Sequence, residues 1–397
     1  MIKLKIKFYK LVELLIFCLW NKKIYFIGFL FSSFFKNFFF PNKLLPTYFN
    51  SLDSLLDQIK KSFSSKKYVP RFKNLSSEIY NKKILLLFPT YSQLSWFEVF
   101  KKKFKSCLIL DISKVSYKDK LNIKNYNNAD NLKLFHEHLI HKIIKFNPDL
   151  IVLDVNYSPN KFTINSNTIK FIRNIYKKKI IGFIGDFYKS EHIDIANRWA
   201  NFIDFVYYGN ESINEKNFKL KKNIKFLPYT CDSDIFYPSK KSIKFFFSGI
   251  GNILRFDYLF FIKHKNLFLN SLVNIHVSNK KQSMSYKLYV STMRKSKMTI
   301  NFSRRGKDIY HCGGNRLEAF ASKTLLINES NTLKNSFFTP FVNYIPFNST
   351  IELSIINDFI KLHPEIIKKM TDDSYDTFQN YYSFDAIIFY LSKDKIF

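Results

Sequence analysis

The stretch Gly313–Ser330, Gly-Gly-Asn-Arg-Leu-Glu-Ala-Phe-Ala-Ser-Lys-Thr-Leu-Leu-Ile-Asn-Glu-Ser, predicts a loop, a short helix and a buried strand in direct succession. The diglycine gives a flexible loop, and Asn315 after it is a good helix N-cap. The apolar run Thr324–Ile327 is typical of a strand that is covered on both faces. A loop, helix and strand in this order are one repeat of an α/β fold.

Two interpretations of this helix mouth stay open on the residues alone. In the first, the N–H groups of Gly313, Gly314 and Asn315 and the positive end of the helix dipole bind an anion such as a diphosphate. Arg316 then adds a positive charge, and Glu318, one turn into the helix, accepts hydrogen bonds from sugar hydroxyls. In the second, Asn315 and Glu318 form a capping box and bind no ligand.

Composition bounds the class of protein. The 397 residues are enough for two domains, and 46% of them are hydrophobic. The net charge of +32 is mostly Lys spread over the whole length, together with much Asn, Ile, Phe and Tyr, as an A/T-rich genome gives to any protein. We therefore expect no nucleic-acid partner. The four scattered cysteines predict no disulfide framework and no zinc site, which favours a reducing, cytoplasmic location. The N-terminus does not have the pattern of a secretory signal peptide.

Residues 1–45 carry two apolar and aromatic runs, Leu11–Trp20 and Ile24–Phe40, on either side of an Asn-Lys-Lys turn. The second run is close to membrane-spanning length, but two serines, a lysine and an asparagine interrupt it. Three interpretations stay open: a helix in the membrane interface, a membrane span, or packing on the protein's own core.

Short apolar strands alternate with helices from residue 83 onward, which predicts an α/β fold of two Rossmann-like domains facing each other across a cleft. The first series of strands is Lys83–Phe88, Cys107–Ile112, Leu150–Val155, Ile180–Ile184, Phe202–Tyr207 and Ile224–Leu227. The second is Ile243–Ser248, Val273–Val277, Met298–Phe302, Thr324–Ile327 and Asn343–Pro346. The predicted organisation is a helical N-terminal extension over 1–78, a first Rossmann-like domain over 79–238, a second over 239–380, and a C-terminal helix over 381–397 that crosses back to the first domain.

Three motifs carry a resemblance to a known family. A connector with two prolines, Pro228 to Pro238, leads into the second series. The run from Phe247 to Arg255 has the form of a first strand with a glycine loop, and Ser296–Ser303 followed by Asn315–Ser322 has the form of a donor-site strand and helix. Together they resemble the GT-B glycosyltransferases of group 1, of the CgeB-like (spore maturation protein) type, from about residue 83 to the C-terminus.

The resemblance implies an acceptor domain over 79–238 and a domain over 239–380 that binds a nucleotide-sugar donor. Gly249 and Arg255 would meet its diphosphate, and Glu318 would bind the ribose hydroxyls. The sequence departs from the family at two positions: Tyr310 stands where a first glutamate is common, and Lys323 stands where a glycine is common.

Sugar transfer needs positive charge on the leaving diphosphate and a group that orients or deprotonates the acceptor hydroxyl. Arg255, Arg316 and the helix amides are the candidates for the first task, with no metal and no cofactor. Asp186 and His192, which follow the strand Ile180–Ile184, are the candidates for the second. The alternatives are a turn aspartate and a surface histidine. Arg304 and Arg305 are held in reserve.

Two other motifs are set aside. Asp232 and Asp234 imitate a metal-binding pair but lie in the proline-bracketed connector, where we expect a structural turn. His136, His138 and His141 are expected on a solvated or interfacial helix face rather than in a metal site.

The sequence therefore predicts a metal-independent, hexosyltransferase-like enzyme that moves a sugar from a nucleotide-sugar to a hydroxyl of a glycan, protein or lipid-linked acceptor. It would act in the cytoplasm, with peripheral contact at the inner membrane face through residues 1–45. The alternatives are a nucleotide-sugar epimerase or hydrolase on the same fold, and a basic protein that binds nucleic acid or anionic membranes.

Overall fold

The computed structural model describes residues 2–39, 47–65, 75–88, 95–111, 129–156, 164, 166–185, 187, 190–211, 219–250, 253–268, 271–276, 284–303, 315–329 and 336–397. The chain divides into two compact units. The first unit consists of Arg71–Asp232, Leu333–Ser336 and Asn380–Phe397. The second unit consists of Met1–Pro70, Ser233–Thr332 and Phe337–Gln379. The N-terminal helices therefore belong to the unit that contains the second strand series.

Helices and strands alternate through both units. The strands are β1 (Lys83–Phe88), β2 (Ser106–Asp111), β3 (Leu150–Asp154), β4 (Lys179–Ile184), β5 (Phe205–Tyr208), β6 (Ile224–Phe226), β7 (Ile243–Ile250), β8 (Ser271–His276), β9 (Ser296–Asn301), β10 (Leu325–Glu329) and β11 (Tyr344–Phe347). The helices are α1 (Ile2–Asn21), α2 (Tyr25–Phe39), α3 (Leu52–Ser64), α4 (Ser95–Lys103), α5 (Ala129–Phe146), α6 (Ser166–Ile175), α7 (Ser190–Trp199), α8 (Ile253–His264), α9 (Tyr286–Lys295), α10 (Asn315–Ala321), α11 (Thr350–Leu362), α12 (Pro364–Tyr381) and α13 (Phe384–Lys393).

The first unit is built on a six-stranded sheet in the order β2-β1-β3-β4-β5-β6, and every pair of neighbouring strands is parallel. Every residue of β3 is buried, as expected of a strand with helices on both faces. The aromatic core includes Trp96 of α4, whose ring stacks on Phe183 of β4 at 4.7 Å between centroids.

The second unit is built on a five-stranded parallel sheet in the order β11-β10-β9-β7-β8. Both sheets share one topology, because in each the second strand along the chain lies outside the first and the third lies on the first strand's other side. The strand order thus reverses between β7 and β9, and open α/β sheets bind ligands outside the carboxyl ends of the strands at such a point. The predicted fold class of two Rossmann-like α/β domains is confirmed.

The helices α1 and α2 pack against the second unit's own core. Val12 and Ile16 of α1 are buried in it, and Phe29 of α2 lies 5.5 Å from Phe261 of α8 between ring centroids. A Cβ on Gly28 would overlap the Phe260 ring, so this glycine allows α2 to approach α8 closely. None of the helices that the structure describes is both long and apolar enough to cross a bilayer.

Two boundaries differ from the sequence prediction for local reasons. The strand β5 begins at Phe205 rather than Phe202, because 200–203 form the turn that ends α7. The C-terminal helix predicted over 381–397 begins only at Phe384 and ends at Lys393, since Ser383 caps α13 by accepting a hydrogen bond from the Ala386 N–H.

Candidate donor and acceptor sites

Polar side chains gather where β9 and β10 end in the second sheet. Asn301 donates from Nδ2 to Oδ1 of Asn328 at 2.7 Å, and Ser303 donates to the Glu329 carbonyl at 2.7 Å. All four residues are buried. These hydrogen bonds connect the carboxyl ends of β9 and β10, beside the point where the strand order reverses. They restrict the backbone at the edge of the sheet where ligands of such folds bind.

The structure brings the predicted glycine and the predicted cation of the first loop together. A Cβ on Gly249, near the end of β7, would lie 3.0 Å from Cζ of Phe247 and 3.7 Å from Nη1 of Arg255. Arg255 belongs to the first turn of α8 and is only 9% exposed. A side chain larger than glycine would therefore press on the Phe247 ring, with the Arg255 guanidinium at ordinary contact distance beside it.

Glu318 lies in the first turn of α10 and contacts a partner that the sequence did not reveal. Its carboxylate accepts a hydrogen bond from the Tyr289 hydroxyl of α9. The Tyr289 ring in turn packs against Phe246 of β7 at 5.7 Å and Phe236 of the connector at 6.3 Å. The helix begins at Asn315, and the hydrogen bond gives the Glu318 carboxylate a partner on another helix.

Burial raises the pKa of the Glu318 carboxyl to about 7, and the hydrogen bond from Tyr289 opposes part of that rise. A carboxyl that titrates near neutrality is held in two protonation states of similar free energy. A ligand that donates hydrogen bonds, as a pair of ribose hydroxyls does, would favour the ionised state.

The helix α10 is fixed at its far end by Lys241. The Lys241 Nζ donates to the Arg294 carbonyl at 2.9 Å, to the Ser322 carbonyl at 2.6 Å and to Oγ1 of Thr324 at 3.0 Å. Burial lowers the pKa of Lys241 to about 7. A positive charge at the carboxyl end of α10 also interacts favourably with the negative end of the helix dipole.

Lys323 has a positive φ of 51°, which explains why a glycine is common at this position. The Thr324 N–H reaches back to the Ala319 carbonyl at 2.8 Å and closes the helix end. The turn therefore forms with a lysine, whose Nζ pairs with Asp372 at 2.7 Å.

Arg316 is buried, unlike a cation that lines the mouth of an open cleft. It is 2% exposed, and its guanidinium carbon lies 6.0 Å from the Phe338 ring centroid. An arginine held in this way is strongly oriented, and its charge is weakly screened by water.

In the first unit, the segment before Asp186 is held by a network at the carboxyl ends of β3 and β4. Asp154 accepts from the Asn156 N–H at 3.0 Å and from its side-chain amide at 2.6 Å. The Asn156 Oδ1 accepts from the Gly185 N–H at 2.7 Å. His192 lies in the first turn of α7 and is half-buried.

A second buried carboxylate of this unit, Glu211, was not singled out in the sequence. It follows β5, is fully buried, and accepts a hydrogen bond from the Tyr382 hydroxyl at 2.6 Å. The sequence did contain a signal for both carboxylates. Asp154 is the last residue of one apolar strand and Glu211 comes shortly after another, at the end of the sheet where polar residues face ligands.

The motifs that the sequence set aside have structural partners. Asp232 forms an ion pair with Lys102, which supports a structural role for the connector. His136 is half-buried rather than solvated, because its Nε2 lies 2.7 Å from Oγ1 of Thr168. Within the described ranges, no group of three or more His, Cys, Asp or Glu side chains is placed to hold a metal ion.

Several predicted site residues lie outside the described residues, and their roles stay predictions. They are Asp186, Arg304, Arg305, Tyr310, Gly313 and Gly314.

Solved structures of the same fold are glycosyltransferases. A glycosyltransferase of Rickettsia africae matches with a TM-score of 0.52 and 14% identity, over 80% of this chain and 98% of its own. HepE of Anabaena, in complex with UDP and glucose, matches with a TM-score of 0.51 and 10% identity, over 79% and 99%. Sucrose-phosphate synthase of Thermosynechococcus elongatus matches with a TM-score of 0.51 and 10% identity, over 79% and 98%. No protein-family model and no curated protein matches the sequence.

These likenesses define the architecture as the GT-B fold of the glycosyltransferases. The neighbours are covered almost completely, whereas about a fifth of this chain has no counterpart in them. At identities of 10–14% they establish the fold, and the chemistry has to be argued from the residues.

Proposed function

We propose that the protein is a glycosyltransferase of the group 1, CgeB-like type that transfers a hexosyl group from a nucleotide-sugar to a hydroxyl acceptor. The acceptor belongs to a glycan, a protein or a lipid-linked saccharide. The observation that carries this proposal is the placement of Arg255 in the first turn of the helix after β7 and of the half-buried Glu318 carboxyl in the first turn of the helix after β9. A cation and a hydroxyl-binding carboxyl thus follow the two strands between which the order reverses.

We assign the donor site to the second unit because its positively charged residues suit the donor's diphosphate. Arg255 and Arg316 neutralise charge that builds on the leaving diphosphate, with the amides at 313–315 as further donors. Glu318 binds the ribose hydroxyls, and Tyr289 orients it. This scheme needs neither a metal nor a cofactor, so activity that survives an excess of EDTA is the expected result. HepE was crystallised with UDP and glucose, which makes UDP-glucose the first donor to try.

On the acceptor side, Asp186 and His192 are proposed to orient or deprotonate the attacking hydroxyl. The Asp154–Asn156–Gly185 network supports this assignment, because it fixes the backbone directly before Asp186. We place the enzyme in the cytoplasm with peripheral contact at the inner membrane face through residues 1–45.

Donor binding is tested by calorimetry with UDP-glucose and a panel of other nucleotide-sugars. Glu318→Ala is expected to weaken binding by about 1–3 kcal/mol, since ribose hydroxyls would lose a buried partner. Glu365→Ala, which removes an exposed carboxyl of the same unit, is the control. Equal affinities of wild type and Glu318→Ala, with the fold intact, would reject the ribose role.

Labelled nucleotide-sugar separates this proposal from its enzymatic rival. Transfer of label to an added acceptor is the result expected of a glycosyltransferase. Release of free sugar or formation of an epimer without acceptor would favour a hydrolase or epimerase on the same fold. The second rival, a basic protein that binds nucleic acid, predicts a salt-sensitive complex with oligonucleotides at near-physiological salt.

A further inference from the structure

The helix α2 buries its small and polar residues and packs Phe29, Phe31, Phe35 and Phe39 partly against the core, but it leaves other large apolar side chains exposed. Gly28, Ser32 and Lys36 are its buried residues. On the opposite side Phe34 is 64% exposed and Phe38 is 61% exposed, the reverse of a surface helix that only faces water.

The neighbouring helix α1 adds to the same outward surface. It contacts α2 through aromatic pairs such as Phe8–Phe35, whose ring centroids lie 6.0 Å apart, and it buries Val12 and Ile16 in the core that α2 also covers. Its outward side chains are apolar as well. We define the outer face as the exposed residues Phe8, Leu11, Leu14, Leu15, Ile27, Leu30, Phe34 and Phe38.

Specific inward contacts hold this orientation. Lys36 Nζ lies 2.7 Å from Oδ2 of Asp257 and 4.1 Å from the Tyr258 ring centroid, and both side chains of the ion pair are 9% exposed. Gly28 fits against Phe260. Turning α2 to hide its apolar face would break a buried ion pair and introduce a clash, so the outer face stays outward.

The charge around the outer face indicates what covers it. Apart from Lys36, which is paired with Asp257, residues 1–39 contain six lysines and one glutamate, a surplus of five positive charges. Lys10, Lys22 and Lys23 are exposed. Lysine is depleted at the centre of protein–protein interfaces, whereas apolar faces bordered by lysines are typical of helices that lie in anionic membrane surfaces.

Length excludes a transmembrane arrangement of α2. Its 15 residues would span about 22 Å at 1.5 Å per residue, less than the ~30 Å hydrocarbon core. Its fixed contact with α8 also keeps it on the protein.

We propose that the outer face docks on an anionic lipid bilayer, with α1 and α2 lying in the plane of the interface and the lysines on lipid headgroups. This deepens the peripheral membrane contact proposed above. It is independent of the transferase chemistry, since vesicle binding is measured without a nucleotide-sugar.

Co-sedimentation of the full chain with vesicles tests the proposal. Binding to phosphatidylcholine vesicles that contain phosphatidylglycerol is expected to exceed binding to phosphatidylcholine alone, and added salt should weaken it. The double variant L30Q/F34Q should bind at least about tenfold more weakly. The control I351Q/L362Q removes two equally exposed apolar side chains of α11 and should bind like wild type.

A tryptophan probe gives a second measurement. Phe34→Trp places an indole on the outer face, and brominated lipids should quench it on anionic vesicles. Trp96 and Trp199, 0% and 3% exposed, are shielded from such quenching, and the half-buried Trp20 of α1 is first replaced by phenylalanine so that only the new indole reports on lipid. The proposal is overturned if wild type binds neither kind of vesicle, or if L30Q/F34Q binds as well as wild type. It is also overturned if the chain forms a stable dimer in the absence of lipid that L30Q/F34Q dissociates.

Discussion

Glu318→Gln is expected to stabilise the second unit at neutral and alkaline pH and to leave it nearly unchanged in acid. Glutamine keeps the size of the side chain and an oxygen that can accept from the Tyr289 hydroxyl, but it does not titrate. The difference in the free energy of unfolding between this variant and wild type therefore measures the cost of ionising the Glu318 carboxyl in the folded protein.

The magnitude follows from the change in pKa on folding. The pKa of Glu318 is about 7 in the folded protein, and the ordinary pKa of a glutamate is 4.5. Between these two pH values the carboxyl of the unfolded chain has lost its proton, whereas that of the folded chain keeps it. The contribution of protonated Glu318 to the free energy of unfolding is therefore fully present below about pH 4.5. It decreases as the pH rises and is lost above about pH 7. The total is about 3 kcal/mol, which corresponds to roughly 6–12 °C in Tm for a unit of this size.

Calorimetric scans at pH 5 and pH 8, at one ionic strength, measure the effect on the second unit's transition. The advantage of Glu318→Gln over wild type should be small at the lower pH and close to its full value at the higher one. Glu365→Gln, on a side chain that is 68% exposed, should show little pH-dependent difference. A Glu318→Gln advantage that is the same at both pH values would refute the argument from burial.

Three further effects on stability follow from buried charges and one strained residue. Lys36→Met should destabilise the second unit by about 3–5 kcal/mol in denaturant titrations, because Asp257 would be buried without its cation; the double variant with Asp257→Leu should recover most of the loss, and no recovery would contradict this cause. Lys323→Gly should be more stable than Lys323→Ala by about 1 kcal/mol in Tm comparisons, since both lose the ion pair and only glycine relieves the positive φ; equal stability would show that the turn is not strained. The pKa of Lys241 is depressed from 10.5 to about 7, so wild-type stability relative to Lys241→Met should rise as the pH increases from 7 to 10; a flat difference would contradict the burial of its charge.

The strands were the most predictable part of the fold. β1 was predicted at its exact bounds, and β3 and β4 to within one residue, because continuous apolar runs such as Ile-Leu-Leu-Leu have no other stable place than a covered parallel strand. The alternation of such runs with helices was sufficient for the fold class.

The orientation of α2 could not be predicted from its pattern. Both faces of α2 carry large apolar side chains, so periodicity alone does not orient the helix. The decisive partner of Lys36 is Asp257, 221 positions later in the chain, and no local signal connects the two.

The candidate donor site was predicted in part. Local motifs located Gly249 and Arg255, which the structure places near each other at the end of β7. Glu318 was located as well, but its partner was not, because Tyr289 is 29 positions earlier on another helix and reaches it only after both helices pack on the sheet. Tertiary contacts of this kind leave no spacing that a single sequence can show.

Binding of a nucleotide-sugar to the second unit tests the central claim most directly. Scanning calorimetry of the full chain with UDP-glucose, and then with other nucleotide-sugars, resolves which unit a ligand stabilises. A donor at 100 times its Kd should add about 2.7 kcal/mol and raise the second unit's transition by roughly 5–11 °C, with a smaller rise for Glu318→Ala. The claim is contradicted if no nucleotide-sugar shifts that transition, or if a ligand shifts wild type and Glu318→Ala equally at matched concentrations below saturation.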